Sequence, residues 1–241
     1  MKIRAVIFDI YQTLREVGLP PTDAEARWAA LWLEAFGGPP RFDLRGIGAA
    51  CNVIIAREHA AARAAGIAFP EVYWPDVVAE VLPELTRPGA MSPEAFILRL
   101  SGLTHTVKLT PGAAAVLRPL HERGVRLGLA SNCQPHTLVE LEAELAPVGL
   151  SIANFHPSLR FFSFEHGFSK PDPHVLRLLG ARLRVFGVAP AEALVVGDRL
   201  DRDIEPARAQ GWQTWHLGPP GTAGGGDWRE LGVFLAREAL A

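Results

Sequence analysis

The chain has 241 residues and a formal net charge of −2, from 24 basic and 26 acidic side chains, and 49% of its residues are hydrophobic. That length allows one large domain, or a core domain with a sizeable insertion, to bury its own hydrophobic core. The balanced charge argues against a nucleic-acid-binding protein, and no apolar run approaches the roughly 20 residues that a membrane-spanning helix needs.

Two further exclusions concern processing and cross-linking. Cys51 and Cys133 are the only cysteines and lie far apart, so the sequence indicates neither a disulfide framework nor a zinc site. No signal-peptide pattern precedes the first predicted strand. We therefore expect a cytoplasmic protein without nucleic-acid or membrane partners, either a monomer or a homodimer.

The first predicted element is a buried parallel strand over residues 2–8, because the run is almost entirely apolar and rich in β-branched side chains. Asp9 follows it directly. In open α/β sheets, ligands bind beyond the carboxyl ends of the strands. Asp9 is therefore a candidate nucleophile or metal ligand, and the alternative at this point is an aspartate that caps a turn.

Residues 16–106 contain no convincing strand and are expected to be helical directly after Leu14. Apolar residues at three- and four-residue spacings, with caps such as Ser92-Pro93, predict helices. The predicted helices cover residues 23–36, 47–65, 75–85 and 92–100. We interpret the segment 16–106 as a small helical cap domain whose tryptophan and phenylalanine stripes form its own core.

From Lys108 the pattern alternates between helices and strands, which predicts a parallel sheet covered on both faces. Helices are predicted over residues 110–123, 135–145, 173–183, 204–210 and 227–240, and strands over 125–130, 161–164, 194–196 and 213–217. The glycine-rich segment 218–226 is expected to be flexible and lacks the ending of a phosphate-binding loop. The fold class is therefore α/β, a Rossmann-like doubly wound core of residues 1–15 and 107–241 with the cap inserted.

Polar side chains stand at the ends of several of these strands, and parallel strand ends share one edge of a sheet. Asp9 and Asp198 are oxygen ligands of the kind that Mg²⁺ prefers. Ser131 and Asn132 precede a helix whose first amides favour an anion. Lys170 offers a compact positive charge. Such a set suits attack by an aspartate on phosphorus, followed by hydrolysis of the aspartyl intermediate.

This ordered set resembles the haloacid dehalogenase-like (HAD) hydrolase superfamily over nearly the whole chain. The motifs are Phe8-Asp9-Ile10-Tyr11-Gln12-Thr13-Leu14, Ala130-Ser131-Asn132, Ser169-Lys170-Pro171-Asp172-Pro173 and Val196-Gly197-Asp198-Arg199-Leu200-Asp201-Arg202-Asp203-Ile204.

The resemblance implies a role for each matching residue. Asp9 is then the nucleophile, with Ser131 and Lys170 also catalytic, and an anionic, phosphorylated small substrate is bound by Thr13, Ser131, Asn132 and Lys170. Mg²⁺ is held by Asp9, Asp198 and the backbone carbonyl of Tyr11, while Asp203 supports the metal site or Lys170.

Two positions depart from the family's phosphatases. Tyr11 stands where these enzymes carry a second aspartate as general acid and base, and a phenol with an ordinary pKa near 10 replaces that carboxylate poorly. Tyrosine at this place is instead similar to the metal-independent 2-haloacid dehalogenases, whose halide leaves without a proton, yet Gly197-Asp198 has the metal-binding phosphatase form. Gln12 replaces a usual glycine, which puts the backbone path at the nucleophile in question.

Three functions therefore stay open: a Mg²⁺-dependent phosphatase, a dehalogenase of small 2-halo acids, and a binding protein that keeps the anion site without turnover. Arg41, Arg45 and His59 of the cap are placed to reach an anionic substrate or simply to face solvent. Cys133, at a helix entry, is either a favoured thiolate or an inert buried thiol.

Overall fold

The computed structural model describes residues 2–238. Its strands are β1 (Ala5–Phe8), β2 (Arg15–Gly18), β3 (Thr106–Leu109), β4 (Arg126–Ser131), β5 (Arg160–Phe162), β6 (Ala193–Gly197), β7 (Gln213–Leu217) and β8 (Gly225–Gly226). Six of them form one sheet in the order β5, β4, β1, β6, β7, β8, and every pairing in it is parallel. The predicted Rossmann-like α/β fold is confirmed.

The helices are α1 (Ala24–Phe36), α2 (Leu44–Ala64), α3 (Trp74–Val81), α4 (Pro93–Thr104), α5 (Ala113–Glu122), α6 (Pro135–Leu145), α7 (Ser163–His166), α8 (Pro173–Val185), α9 (Glu205–Ala209) and α10 (Trp228–Glu238). Within residues 2–238, no helix is long and apolar enough to cross a membrane. The predicted end of the last helix at Leu240 lies outside the described residues.

The central strand β1 is apolar throughout because both faces of the sheet are covered. Val6 and Phe8 belong to a hydrophobic cluster that includes residues of α5, α6 and α10. Ala5 and Ile7 belong to a second cluster, on the face packed by α8 and α9. The alternation places successive side chains of one strand in different cores, as a doubly wound sheet requires.

The segment between β2 and β3 forms a hydrophobic cluster of its own from α1 to α4. Trp28 lies at its centre, with ring centroids 5.2 Å from Trp32 and 6.0 Å from Phe96, and all three side chains are buried. The aromatic stripes of these helices are therefore core residues. The division into a core of residues 1–15 and 107–241 and a cap of 16–106 stays a prediction.

One expectation for this segment was wrong, because β2 and β3 form a two-stranded antiparallel sheet at its two ends. Arg15 lies opposite Leu109 and Gly18 opposite Thr106. Helical structure does not begin after Leu14, and residues 16–18 and 106 are strand. The strands are short and carry charged residues such as Glu16 and Lys108, which form an ion pair of 2.9 Å, so no apolar run marks them.

Other differences between the prediction and the structure concern where helices begin and whether the glycine-rich segment contains a strand. Helix α2 begins three residues earlier than expected because Asp43 caps it, accepting a 2.6 Å hydrogen bond from the Gly46 amide. Helix α5 begins at Ala113, since Gly112 adopts a left-handed φ of 90° before it. The glycine-rich segment is not wholly irregular, because β8 within it pairs with β7.

Candidate active site

The three central strands of the sheet bring polar residues to one edge. Asp9 follows β1, Ser131 is the last residue of β4, and Asp198 follows β6. Strand β1 lies between β4 and β6, so these positions are neighbours at the carboxyl edge of the sheet. This is the edge at which parallel α/β sheets bind ligands.

Lys170 joins two buried carboxylates at this edge. Its Nζ donates to Asp9 Oδ1 at 2.7 Å and to Asp203 Oδ1 at 2.6 Å, and all three side chains are at most 9% exposed. Burial opposes the charge of Lys170, but the two carboxylates outweigh it and raise the pKa of the lysine. Burial raises the pKa of Asp9 to about 6 against the opposing effect of Lys170.

Asn132 fixes the position of Lys170 through the backbone. The Lys170 amide donates to Asn132 Oδ1 at 2.7 Å, and Asn132 Nδ2 donates to the Lys170 carbonyl at 2.9 Å. The paired hydrogen bonds tie the end of β4 to the segment before α8. Asn132 therefore acts on the lysine main chain, while its side-chain amide lies beside the site.

Three carboxylates meet at this edge with the chemistry of a cation site. Asp9, Asp198 and Asp203 each offer an oxygen, and these oxygens lie within 4.8 Å of one another. Burial and the nearby Asp203 raise the pKa of Asp198. Because hard divalent cations prefer carboxylate oxygens, the donor set fits Mg²⁺.

Asp203 differs from the other two because both its oxygens already have partners. Oδ1 accepts from Lys170, and Oδ2 accepts from the Arg199 amide at 3.2 Å. Its carboxylate also packs against Gly197, where an added Cβ would collide with Asp203 Oδ2. The glycine before Asp198 thus makes room for a buried carboxylate that holds Lys170.

We therefore predict that Gly197→Ala destabilises the protein by about 1–3 kcal/mol, because the methyl group overpacks the contact with Asp203. The free energy of unfolding in denaturant measures this. Gly102→Ala is the control: Gly102 is exposed in α4 with nothing near an added Cβ, so alanine should stabilise by about 0.5–1 kcal/mol. Equal effects of both changes would contradict the assigned contact.

Two buried hydroxyls, one in the segment after β1 and one at the end of β4, have no hydrogen-bond partner among residues 2–238. These are Thr13 Oγ1 and Ser131 Oγ, and both side chains are fully buried. Unpaired buried hydroxyls are costly unless a ligand or water completes them. The predicted role of Thr13 and Ser131 in binding an anion stays a prediction, and their unpaired hydroxyls leave a donor free for it.

Tyr11 turns its hydroxyl away from the carboxylates. The oxygen is 2.8 Å from Thr137 Oγ1 on α6, and the Arg15 guanidinium lies 5.5 Å from the ring centroid. Burial raises the pKa of Tyr11 above its ordinary value. The phenol is thus a weaker acid than a free tyrosine, and less of it is ionised at neutral pH to act as a base. The sequence did not identify Thr137 as a partner of Tyr11, because the two residues meet only when α6 lies beside the first motif.

Gln12 has a φ of 54°, the only described residue other than glycine with a positive φ. The backbone at this position therefore adopts a left-handed conformation that glycine reaches easily, and the glutamine bears the strain.

The remaining candidates from the sequence include two arginines of the predicted cap and Cys133. Arg41 pairs with Glu84 at 2.8 Å and lies over the Trp32 ring, and Arg45 is exposed. Both cysteines are free and buried, and burial raises the pKa of the Cys133 thiol, which disfavours a thiolate.

Comparison with protein families gives one match over most of the chain. The family model described as haloacid dehalogenase-like hydrolase matches residues 3–211.

Curated relatives match over shorter segments. A phosphoserine phosphatase of Thermus thermophilus is 40% identical over 141 residues, which cover 55% of this chain and 52% of that protein. A glyceraldehyde 3-phosphate phosphatase of Pyrococcus abyssi is 38% identical over 104 residues, which cover 43% of this chain and 40% of that protein. The chain thus spans about half the length of the curated relatives it matches, or somewhat less.

Solved structures match over nearly the whole chain. A 2-haloacid dehalogenase from Pseudomonas syringae has a TM-score of 0.58 at 19% identity and covers 98% of this chain and 99% of its own. A HAD family enzyme from Bacteroides thetaiotaomicron, in complex with magnesium and inorganic phosphate, has a TM-score of 0.55 at 16% identity and covers 95% and 98%. At these identities the likeness concerns the fold alone.

Proposed function

The chain belongs to the haloacid dehalogenase-like hydrolases, and on that premise we propose that it is a Mg²⁺-dependent phosphatase of a small phosphorylated substrate. One observation carries the proposal: Lys170 is hydrogen-bonded to both Asp9 and Asp203, within a group of three carboxylates that also contains Asp198. A site that binds no metal has less need of a third carboxylate, that of Asp198, beside the ion pairs of Lys170 with Asp9 and Asp203. The phosphatase names of the two curated relatives support the same chemistry.

The residues around Asp9 suit a phosphoryl group. Lys170 supplies positive charge, the unpaired hydroxyls of Thr13 and Ser131 supply hydrogen bonds, and the side chain of Asn132 holds Lys170 in place. Charge-assisted hydrogen bonds of this kind are strong in a buried site. We propose that these four residues orient the substrate so that its phosphorus faces the Asp9 carboxylate.

The reaction proceeds in two displacements. The Asp9 carboxylate attacks phosphorus, a bond from its oxygen to phosphorus forms, the bond from phosphorus to the leaving oxygen breaks, and that oxygen takes a proton from solvent. Water then attacks the phosphorus of the aspartyl phosphate and gives up a proton to solvent. The bond to Asp9 breaks, and its electron pair returns to the carboxylate as inorganic phosphate leaves.

Asp9, Asp198 and the backbone carbonyl of Tyr11 would hold Mg²⁺, and Asp203, whose two oxygens have protein partners, would support Lys170. When bound, the ion neutralises the phosphoryl oxygens and the surrounding carboxylates.

The experiment that tests this function measures phosphate release from an aryl phosphate and a panel of alkyl phosphates, with Mg²⁺ and with EDTA. We expect release that requires Mg²⁺. A folded protein that is silent with every ester would contradict the proposal, and binding of inorganic phosphate without release would favour the non-catalytic binding protein.

A dehalogenase of 2-halo acids is the second candidate, because Tyr11 replaces the general acid and base and its hydroxyl is held by Thr137. A halide leaves without a proton, so this chemistry tolerates the tyrosine. Halide release from 2-chloropropionate that is indifferent to EDTA would establish it. Release only with Mg²⁺ would argue against it.

We predict that Tyr11→Asp raises kcat for an alkyl phosphate by about 100-fold, because a carboxyl group at this place can protonate the leaving oxygen and then activate water. Steady-state phosphate release measures the change. Tyr11→Asn is the matched control, since it has nearly the same shape and cannot transfer the proton. If both variants change kcat equally, the missing acid and base is not what limits the rate.

The cytoplasmic location, the choice between monomer and homodimer, and the small phosphorylated substrate stay predictions.

A further inference from the structure

A second, larger cavity opens next to the candidate active site. It has a volume of about 660 Å³ and lies between α2, α4 and the start of α6. Tyr11 and Asn132 line both this cavity and the smaller one that contains Asp9, Lys170 and Asp198. A molecule whose phosphoryl group lies at Asp9 therefore has this cavity for its remainder.

The wall of this cavity is mostly apolar. Helix α2 contributes Leu44, Gly48 and Ile55 at helical spacing, and α4 contributes Ile97 and Leu100. Cavities of this size with an apolar lining and a few polar groups are typical of sites for small organic ligands. A three-carbon leaving group would contact little of this wall.

The wall offers no cation for an anionic leaving group. Within the described part of the chain, no lysine or arginine lines this cavity, and its one carboxylate is Glu71. Glu71 Oε2 accepts from Ser163 Oγ at 2.8 Å, and Oε1 accepts from Gln134 Nε2 at 3.2 Å. Burying a charge against such a wall without a counter-ion is costly.

The wall does offer neutral hydrogen-bonding groups. His136 is 8% exposed, and its Nδ1 is buried without a partner among residues 2–238; the same holds for Nε2 of His59 and of His105. Burial lowers the pKa of both His105 and His136, which favours the neutral imidazoles. An unpaired ring nitrogen needs a ligand or water to complete it.

We propose that the substrate is the phosphate monoester of an uncharged, largely apolar alcohol that carries a neutral hydrogen-bonding group, and that this cavity holds the alcohol with His136 as a specificity-determining residue. The proposal rests on the phosphatase function above. It sets this chain apart from the relative named phosphoserine phosphatase, because serine carries both an ammonium and a carboxylate group.

The first test compares kcat/KM for 2-naphthyl phosphate and phosphoserine, with Mg²⁺ present. We expect 2-naphthyl phosphate to be favoured by at least about 100-fold, because the carboxylate of serine finds no cation in the wall. A preference for phosphoserine would overturn the inference while leaving the phosphatase function intact. No phosphate from any ester would overturn the function itself.

A second test measures ligand binding to the cavity without turnover. It is needed because the intrinsic reactivity of aryl esters also favours naphthyl phosphate. Calorimetric titration with naphthalene-2,6-diol, which carries a second hydroxyl, should show saturable binding that weakens in His136→Leu, and the absence of binding to the wild type would overturn the inference.

Asn52 of α2 is exposed at the rim of the cavity. Asn52→Arg should raise the ratio of phosphoserine to naphthyl phosphate kcat/KM about tenfold by supplying the missing cation, and Asn52→Gln should not. An unchanged ratio in Asn52→Arg would count against the assigned wall.

Discussion

Replacing Asp9 by asparagine is expected to lower phosphate release at least about 1000-fold, because the amide cannot form the bond to phosphorus. The side chain keeps its size, and its oxygen can still accept the hydrogen bond that Lys170 donates to Asp9 Oδ1 at 2.7 Å. The variant should therefore fold. Steady-state release from an aryl phosphate with Mg²⁺, together with a circular dichroism spectrum, measures both outcomes.

Asp201→Asn is the matched control for this change. Asp201 lies in the same motif as Asp198, but it is exposed and pairs with Arg199 at 2.9 Å instead of facing the site. We expect its release rate to stay within about twofold of wild type, as for surface changes away from a site. If Asp9→Asn retained a tenth of the activity, Asp9 would not be the nucleophile.

The largest effect on stability is expected at Arg15, whose side chain is fully buried between β2 and α6. Its guanidinium pairs with Glu140 at 2.9 Å and with Glu144, and Glu140 also accepts a 2.7 Å hydrogen bond from Ser101 of α4. Arg15→Met would leave two largely buried carboxylates without their cation. We expect a loss of about 3–5 kcal/mol in the free energy of unfolding, measured in denaturant.

Removing all three charges together tests whether the loss of stability comes from unpaired carboxylates or from lost packing of the arginine side chain. Arg15→Met combined with Glu140→Gln and Glu144→Gln should recover much of the lost stability, because burying a neutral amide costs far less than burying an unpaired carboxylate. Arg57→Met, which breaks the exposed pairs with Glu58 and Glu80, should change stability little. If the triple variant is no more stable than Arg15→Met, the unpaired carboxylates are not the cause.

The sequence was most informative where a carboxylate closely follows a strand that can be predicted. Asp9 and Asp198 each follow a continuous apolar strand, and the end of a buried parallel strand is predictable from that pattern. The sheet then brings them together, and it does so here because β1 and β6 are adjacent. The parallel sheet and the helices on both faces were predictable for the same reason.

What escaped prediction depends on contacts between distant, short or polar segments. Strands β2 and β3 have four residues each and pair across 87 intervening residues, as the register of Gly18 with Thr106 shows, so neither has a local signature. The hydrogen bond between Tyr11 and Thr137 and the burial of Arg15 also depend on contacts between distant segments. Arg15 and Thr137 look like surface residues in the sequence until α6 packs against the segment from Tyr11 to Arg15.

The histidines of the larger cavity show a different limit. His59, His105 and His136 have no metal-ligand spacing, and nothing in the sequence relates a residue of α2 to one at the start of α6. They line one cavity only because α2, α4 and α6 pack around it. Their shared property, a buried ring nitrogen without a partner in the described part of the chain, exists only in three dimensions.

The central claim is that phosphoryl transfer passes through Asp9, and the most direct test is to acid-quench the protein during turnover of an aryl phosphate with Mg²⁺ and to analyse its peptides by mass spectrometry. Because Tyr11 cannot activate water well, the aspartyl phosphate should accumulate. We predict a phosphoryl group on the peptide at Asp9, absent in Asp9→Asn and in EDTA. Steady phosphate release without that group, or with the phosphoryl group on another residue, would contradict the account.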